Sequence, residues 1–387
     1  MDLNDYFDPV SLEKPSYRFL QIKSSFGGSI RIHTPDQPIQ ISPSVEIAIV
    51  GVCEDRNSPN HGAAKAPDII RSHLYQLARL VKKTGIVDLG NLRQGRTVQD
   101  TYYAVREVIR QLIEKNICPV LIGGTQDITW GMASAYEASF LSYNLVTVDA
   151  RLDVRKPLRT FDSTSYLNKL LFARGKKLFH YVNLGHQLYY LPPGTLSLLE
   201  KYRYESYGIG QIRSSLKEIE PVLRDADLLS IDMGAIKRSD SPGYYHPCPN
   251  GFYGEEICQI SRYAGTSNRI SSFGLFEANP SYDSSDQTMQ LAAQIIWYFL
   301  DGFLRRHKEF PAAKAPDFTK YIVTLPSLEQ KIVFYKSKNT DRWWMEVPVH
   351  HPPGKGKVIA ACSYEDYLTA GNQEIPERWL KIFRKLN

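Results

Sequence analysis

"YNLVTVDARLD", residues 143–153, is a β-branched apolar run that ends in two aspartates, Asp149 and Asp153, four positions apart. Its length suits a strand, and apolar residues at successive positions suit a strand covered on both faces. Seven further runs of this kind recur: "VEIAIVGV" (45–52), "GIVDLG" (85–90), "CPVLIGG" (118–124), "FHYVNLG" (179–185), "ESYGIG" (205–210), "DLLSIDMG" (227–234) and "ISSFGLFE" (270–277). Helix-period segments lie between them. "PDIIRSHLYQLARL" carries Pro67 in its first turn, where a missing N–H costs little. "TVQDTYYAVREVIRQLIEKN" opens with Thr97 and Asp100 in capping positions. "SDQTMQLAAQIIWYFLDGFLRRH" is acidic at its start and basic at its end, matching the helix dipole. This alternation predicts an α/β fold: a mainly parallel sheet with helices on both faces, or a closed barrel. Either one places ligands beyond the carboxyl ends of the strands.

The 387 residues are 43% hydrophobic and 23% charged, enough for one large core. The formal charge of +6 is scattered, and its densest cluster, "RRHK" (305–308), closes an amphipathic helix pattern, so no nucleic-acid partner is expected. Five cysteines stand far apart without a CxxC, and the opening "MDLNDYFDPV" lacks a basic-then-apolar layout. Both point to a reducing, cytoplasmic setting. The longest apolar run, "LAAQIIWYFL" (291–300), is too short to span a bilayer, so no membrane partner is expected.

The strand–helix rhythm assigns residues 45–307 to the α/β domain, with extensions over 1–44 and 308–387. The first contains a candidate hairpin in "YRFLQIKSSFGGSIRIHT" (17–34). The second contains one in "KIVFYKSKNTDRWWMEVP" (331–348), turning at Asn339-Thr340. Its aromatics Phe334, Tyr335, Trp343 and Trp344 either pack the extension onto the main domain or meet a protein partner, for which this extension is the expected surface. Oligomeric state stays open.

Four strands end in chemistry-bearing residues: "GGTQD" (123–127), "DARLD" (149–153), "SIDMG" (230–234) and "FEANP" (276–280). Carboxylates converging from several strand ends repel one another unless a cation joins them. In their order and placement these segments resemble the GGDHS, DAHxD, SxDxD and ExNP motifs of the ureohydrolases, the arginase, agmatinase and formimidoylglutamase family. Upstream, "HGAAKAPDIIR" (61–71) resembles another segment of that family. The resemblance covers residues 45–307. It implies a three-layer α/β/α sandwich around a mainly parallel eight-stranded sheet, with N- and C-terminal extensions added here, and so favours the open sheet over the barrel.

The resemblance also implies two manganese ions held by two His and four Asp. Here Gln126 stands at the ligand His of GGDHS, and Thr125 at the Asp before it. Asp149 and Asp153 are retained, but Arg151 replaces the His of DAHxD. Asp232 is retained, whereas Gly234 replaces the second Asp of SxDxD. Glu277, with Asn279 and Pro280, keeps the position that faces the substrate guanidinium in some members. Asp127 is a candidate base beside Gln126. A protonated Arg has no lone pair for a metal, but its fork can bridge carboxylates. Placing a dication beside it costs roughly 4 kcal/mol per unit-charge pair at about 4 Å and an effective dielectric of about 20.

The sequence therefore predicts a family protein that has lost the binuclear site, is catalytically inactive, carries no cofactor and acts in binding or scaffolding. Gln126, Asp127, Asp149, Arg151, Asp153, Asp232, Gly234 and Glu277 would form its vestigial pocket. The alternative is a hydrolase of a C–N bond in a linear amidine of the agmatine, arginine or formiminoglutamate type. It would use no metal, or a single divalent cation (Mg or Mn) on Asp149, Asp153 and Asp232.

Overall fold

The computed structural model describes residues 3–10, 20, 22–39, 41–81, 85–139, 141–173, 175–311, 317–325, 330–350 and 356–387. Ten of its strands form one sheet. Two short ones come first, β1 (Phe7–Asp8) and β2 (Arg31–Ile32), followed by β3 (Val45–Val52), β4 (Gly85–Leu92) and β5 (Cys118–Ile122). Then come β6 (Tyr143–Val148), β7 (Leu178–His186), β8 (Glu205–Gly208), β9 (Leu228–Asp232) and β10 (Ser272–Phe276). The spatial order is β1-β4-β3-β5-β10-β9-β6-β7-β8, with β2 also against β4. From β3 to β10 every pairing is parallel, as strand–helix–strand connections require.

Alternate residues of the central strands feed two apolar layers. Ile47, Ile49, Val120, Val146, Val148, Leu229 and Ile231 pack under the helices Ala66–Leu74, Gly254–Gly265 and Gln287–Arg305. On the other face Ala48, Val50, Leu121, Leu145 and Leu228 pack under Val98–Glu114 and Ile128–Ala138. The result is a helix–sheet–helix sandwich, as the resemblance implies. Among the described residues no helix is long and apolar enough to cross a membrane.

The hairpin expected over 17–34 falls partly outside the described residues. Its described part instead makes a 3-10 turn, Gly27–Ser29, and then β2, which runs parallel to β4 with Arg31 beside Val87. The outer edge of β4 would otherwise present unpaired backbone groups, and β1 and β2 cover it.

A second, antiparallel sheet follows in the order β11 (Phe318–Leu325), β12 (Gln330–Ser337), β13 (Trp343–Val349) and β14 (Gly356–Cys362). The helices Tyr364–Gly371 and Glu377–Leu386 lie against it. Phe334 and Trp343 are buried in this small core, while Tyr335 and Trp344 are buried on its other face, where the Arg224 guanidinium stacks on Trp344 at 4.4 Å. This C-terminal unit grips the starts of the main-sheet strands. Arg378 pairs with Asp225 at 2.7 Å and donates to the carbonyls of Ala361 and Pro221. Lys381 pairs with Glu205 at 3.0 Å, and Arg342 with Glu220 at 3.2 Å.

Candidate active site

β5, β10, β9 and β6 are consecutive neighbours in the middle of the sheet. With strands about 4.8 Å apart, the residues just beyond their carboxyl ends gather within one small region.

After β5 the chain turns on Gly123 and Gly124, with φ of +81° and +75°. A Cβ on Gly123 would stand 2.4 Å from the Pro67 ring, so both conformation and space demand glycine. The turn aims the Gln126 backbone N–H at Glu277 Oε1, 2.7 Å away. The Gln126 side chain is buried, its Nε2 donates weakly to Ser230 at 3.4 Å, and its Oε1 has no hydrogen-bond partner. Asp127 goes elsewhere. Tyr102 donates to one of its oxygens and Thr125, at 2.6 Å, to the other, which holds the carboxylate away from the cavity. Burial pushes its pKa up to about 6.

After β6, Asp149 Oδ1 accepts the backbone N–H of Arg151 at 2.8 Å, while Oδ2 has no partner. After β9, Asp232 Oδ1 likewise accepts the N–H of Gly234 at 2.6 Å. Both aspartates, and Asp153, are buried. Burial first, and then mutual repulsion with Asp232, lifts Asp149 well above the usual carboxylate range. Asp153 is lifted likewise by burial and by Asp149 and Asp232, and burial raises Asp232 to about 6. Burial and mutual repulsion thus disfavour ionising all three together.

Arg151 does not bridge these carboxylates. Its guanidinium lies over the Tyr190 ring at 4.0 Å. Burial opposes its charge, but Tyr244, Cys248, Asp232 and Asp149 together hold its pKa above the ordinary value. The expected ion network is therefore not formed, because the loop after β7 supplies an aromatic face that the guanidinium stacks on. Lys237 lies over Tyr253 at 4.4 Å.

Glu277 follows β10 with φ +69°, an unusual conformation for a non-glycine residue. Its carboxylate is fixed by the Gln126 N–H and by Asn60 Nδ2 at 2.7 Å. Asn279 in turn holds Asn60 Oδ1 at 2.8 Å. Burial first, then Asp232, raises the Glu277 pKa well above its usual value.

A cavity of about 190 Å³ opens here, and Asp153, Asp232, Glu277 and Arg151 reach it together with Arg155, Ser163, Thr164 and the rings of Tyr190, Tyr244 and Tyr245. Sequence reasoning missed Asn60, Tyr190 and Tyr244, which come from loops; "LYYLPP" and "GYYHPCP" after β7 and β9 carried an aromatic signal on the correct rim. His186 bonds Ser206 at 2.7 Å, and Cys248 donates to Tyr190 OH at 3.1 Å; neither residue lines the cavity.

Residues 45–301 match the Arginase family. Formimidoylglutamase from Staphylococcus haemolyticus is 26% identical over 279 residues, covering 67% of this chain and 87% of that protein. The crystal structure of Trypanosoma cruzi formiminoglutamase with Mn2+2 superposes with a TM-score of 0.63 at 21% identity, covering 70% of this chain and 97% of that one. Formimidoylglutamase from Bacillus subtilis gives 0.62 at 21% identity, covering 69% and 90%. These findings correct two expectations. The reading of an inactive binding or scaffolding protein gives way to its alternative, since these relatives are all named as formimidoylglutamases or formiminoglutamases. The expectation of no cofactor falls to the manganese in the Trypanosoma structure.

Proposed function

This chain belongs to the arginase family, and from that premise we propose that it hydrolyses a C–N bond of a small linear amidine bearing a carboxylate, of the formimidoylglutamate type. One observation carries the reading: the cavity has two poles. Glu277 and Asp232 form an acidic wall, while Arg151 and Arg155 supply positive charge beside the hydroxyls of Ser163 and Thr164. At about 190 Å³ the cavity is smaller than the roughly 300–1,000 Å³ of drug-sized ligand sites. It suits a short zwitterion.

In this arrangement Glu277 orients the amidinium. Its oxygens are already fixed by Gln126 and Asn60, yet each oxygen of an ionised carboxylate has a second lone pair to offer. Arg151, seated on Tyr190, receives the substrate carboxylate through its fork. The tyrosine walls exclude bulk water, which strengthens both contacts. Water oxygen bonds to the amidinium carbon and the C–N bond breaks; both water protons end on the departing nitrogen, which leaves as an ammonium, and the carbon remains as an amide.

The resemblance implies a binuclear manganese centre, and the donor set does not match one. Arg151 has no lone pair, and Gly234 has no side chain. A Cβ on Gly234 would stand 2.6 Å from the Tyr244 ring, so the ring fills the room a second aspartate would need. The residues do not fit two ions, and the hydrolytic step above does not pass through such a centre.

The test is turnover by the purified full chain, with MnCl2 or MgCl2 present, on N-formimidoylglutamate, agmatine and arginine. Release of glutamate from the first, with kcat/KM well above the other two, is expected. No turnover of any amidine would refute the reading.

A further inference from the structure

The carboxylate that faces the substrate depends on a loop residue outside every strand-end motif. We propose that Asn60, in the loop after β3, is the positioning residue of the amidine site: its amide grips the backbone and the carboxylate of Glu277 together, with its N–H side locked toward them. This deepens the hydrolase reading and rests on it for the substrate, but not for the geometry.

Asn60 is buried and lies 217 positions from Glu277 in the chain. Its Nδ2 donates to Glu277 Oε2 at 2.7 Å and to the Glu277 backbone carbonyl at 3.0 Å. One amide therefore holds two atoms of a residue whose φ is +69°. A side chain rarely adopts that conformation, and it persists only where its surroundings over-determine it. The Gln126 N–H on Oε1 supplies the remaining hold. A carboxylate held at both oxygens does not rotate. Its spare lone pairs therefore keep one direction, and Glu277 lines the cavity.

The oxygen and nitrogen of an Asn amide have nearly the same shape, so the group fits either way round. Here the partners leave one way. The Ser281 backbone N–H only donates, and it meets Asn279 Oδ1 at 2.9 Å. Asn279 must then turn its Nδ2 to the His61 carbonyl, at 2.9 Å, and to Asn60 Oδ1, at 2.8 Å. With its oxygen taken, Asn60 must present Nδ2 to Glu277. The reverse orientation would set an amide oxygen against a buried carboxylate, two acceptors without a proton between them. The loop is pressed close enough to enforce this. Gly62 has φ +112°, and a Cβ there would stand 2.5 Å from Ser281 Oγ and 2.7 Å from Asn279 Oδ1. Asp55 ties the same loop down by accepting the N–H groups of Gly62 and Ala64 at 2.7 and 3.2 Å.

The test is a double-mutant cycle on the full chain with MnCl2 present. It is read by steady-state kinetics on N-formimidoylglutamate and by NMR titration with acetamidine, a bare amidinium. Asn60→Ala should lower kcat by about 10- to 100-fold and weaken acetamidine by about tenfold or more, because the carboxylate loses both a partner and its orientation. On the Glu277→Gln background the same change should cost less than about threefold, since Asn60 acts through that carboxylate. A merely structural Asn60 would cost the same factor on both backgrounds. Full additivity, or a kcat and an acetamidine affinity that Asn60→Ala leaves unchanged, overturns the proposal. Asn60→Ser, too short to reach both Glu277 atoms, takes its place in the cycle if Asn60→Ala folds poorly. Asn279→Asp keeps the size of the side chain and the acceptor for Ser281 but forces the Asn60 amide to reverse; it should reproduce the loss of kcat, and full retention would refute the account of direction. Weakened acetamidine in Asn60→Ala, with no turnover of any amidine by the unmutated protein, would sink the hydrolase reading alone. Turnover by the unmutated protein that Asn60→Ala leaves intact would sink this proposal alone.

Discussion

Replacing Arg151 by methionine isolates its contribution to substrate binding. Methionine keeps much of the aliphatic volume over Tyr190 but removes the fork that the reading assigns to the substrate carboxylate. The guanidinium is half-buried and lies in the same cavity as Glu277, so its bond to a carboxylate forms in a partly desolvated place. A hydrogen bond to a charged group is worth about 1.5–3 kcal/mol. At 1.36 kcal/mol per tenfold this predicts a loss of roughly 10- to 150-fold in kcat/KM for N-formimidoylglutamate. The loss should fall mainly on KM, because the carboxylate is remote from the carbon under attack. Agmatine has no carboxylate and should lose nothing; removing a cation near its amine can even improve it. Arg151→Lys should recover part of the loss, since it restores charge without the planar fork. Steady-state kinetics on both substrates with Arg151→Met, at fixed MnCl2, reads the difference directly. An equal loss on the two substrates would mean that Arg151 only holds the loop, and no loss on either would remove it from the binding account.

Three further outcomes follow from the geometry. Glu277→Gln keeps one acceptor for the two donors Gln126 N–H and Asn60 Nδ2, sets its NH2 against the other and removes the carboxylate, so kcat should fall by about 10²-fold or more with some loss of melting temperature; a fall in stability without a fall in kcat contradicts the assigned role. Gly123→Ala forces a side chain into φ +81° and against the Pro67 ring, and urea unfolding should show a loss of about 1–3 kcal/mol; a neutral result would mean that the turn can rearrange. The anchor of the C-terminal unit should be acid-sensitive. Burial opposes the charge on Glu205, but His180 and Lys381 together hold its pKa well below the usual carboxylate range. Burial keeps His180 itself below its ordinary pKa, so at neutral pH Lys381 carries the positive charge. A depressed carboxylate contributes stability that is present above its unfolded pKa of about 4.3 and lost as pH falls towards the folded value. Melting temperature should therefore decline below about pH 4.3, and Glu205→Gln should flatten that decline; an identical acid limb in the variant would show that other groups control it.

The parallel core was legible because strands buried on both faces are written as apolar runs, and all eight such runs became β3 to β10. The edge strands β1 and β2 are two residues each, too short to leave a periodic pattern. The sequence named cavity-lining residues where a strand end delivers them, as for Asp153, Asp232 and Glu277, whereas Gln126 and Asp149 do not line the cavity. The pocket was not legible where loops distant in sequence decide the outcome. Asn60 reaches Glu277 across 217 positions, Tyr190 draws Arg151 aside, and Tyr244 closes over Gly234. Asp127 shows the same limit: the motif offered it as a pocket base, but Tyr102 and Thr125 hold both its oxygens.

The C-terminal unit holds the chain through Glu205 at the start of β8, Asp225 just before β9, and Pro221 in the short helix Glu220–Arg224 that leads into β9. The cavity opens at the other ends of the strands. The molecule therefore has a chemical pole and a mechanical one, separated by the length of the strands. A fluorophore or a surface tether attached near Asn387 would leave the mouth of the cavity clear.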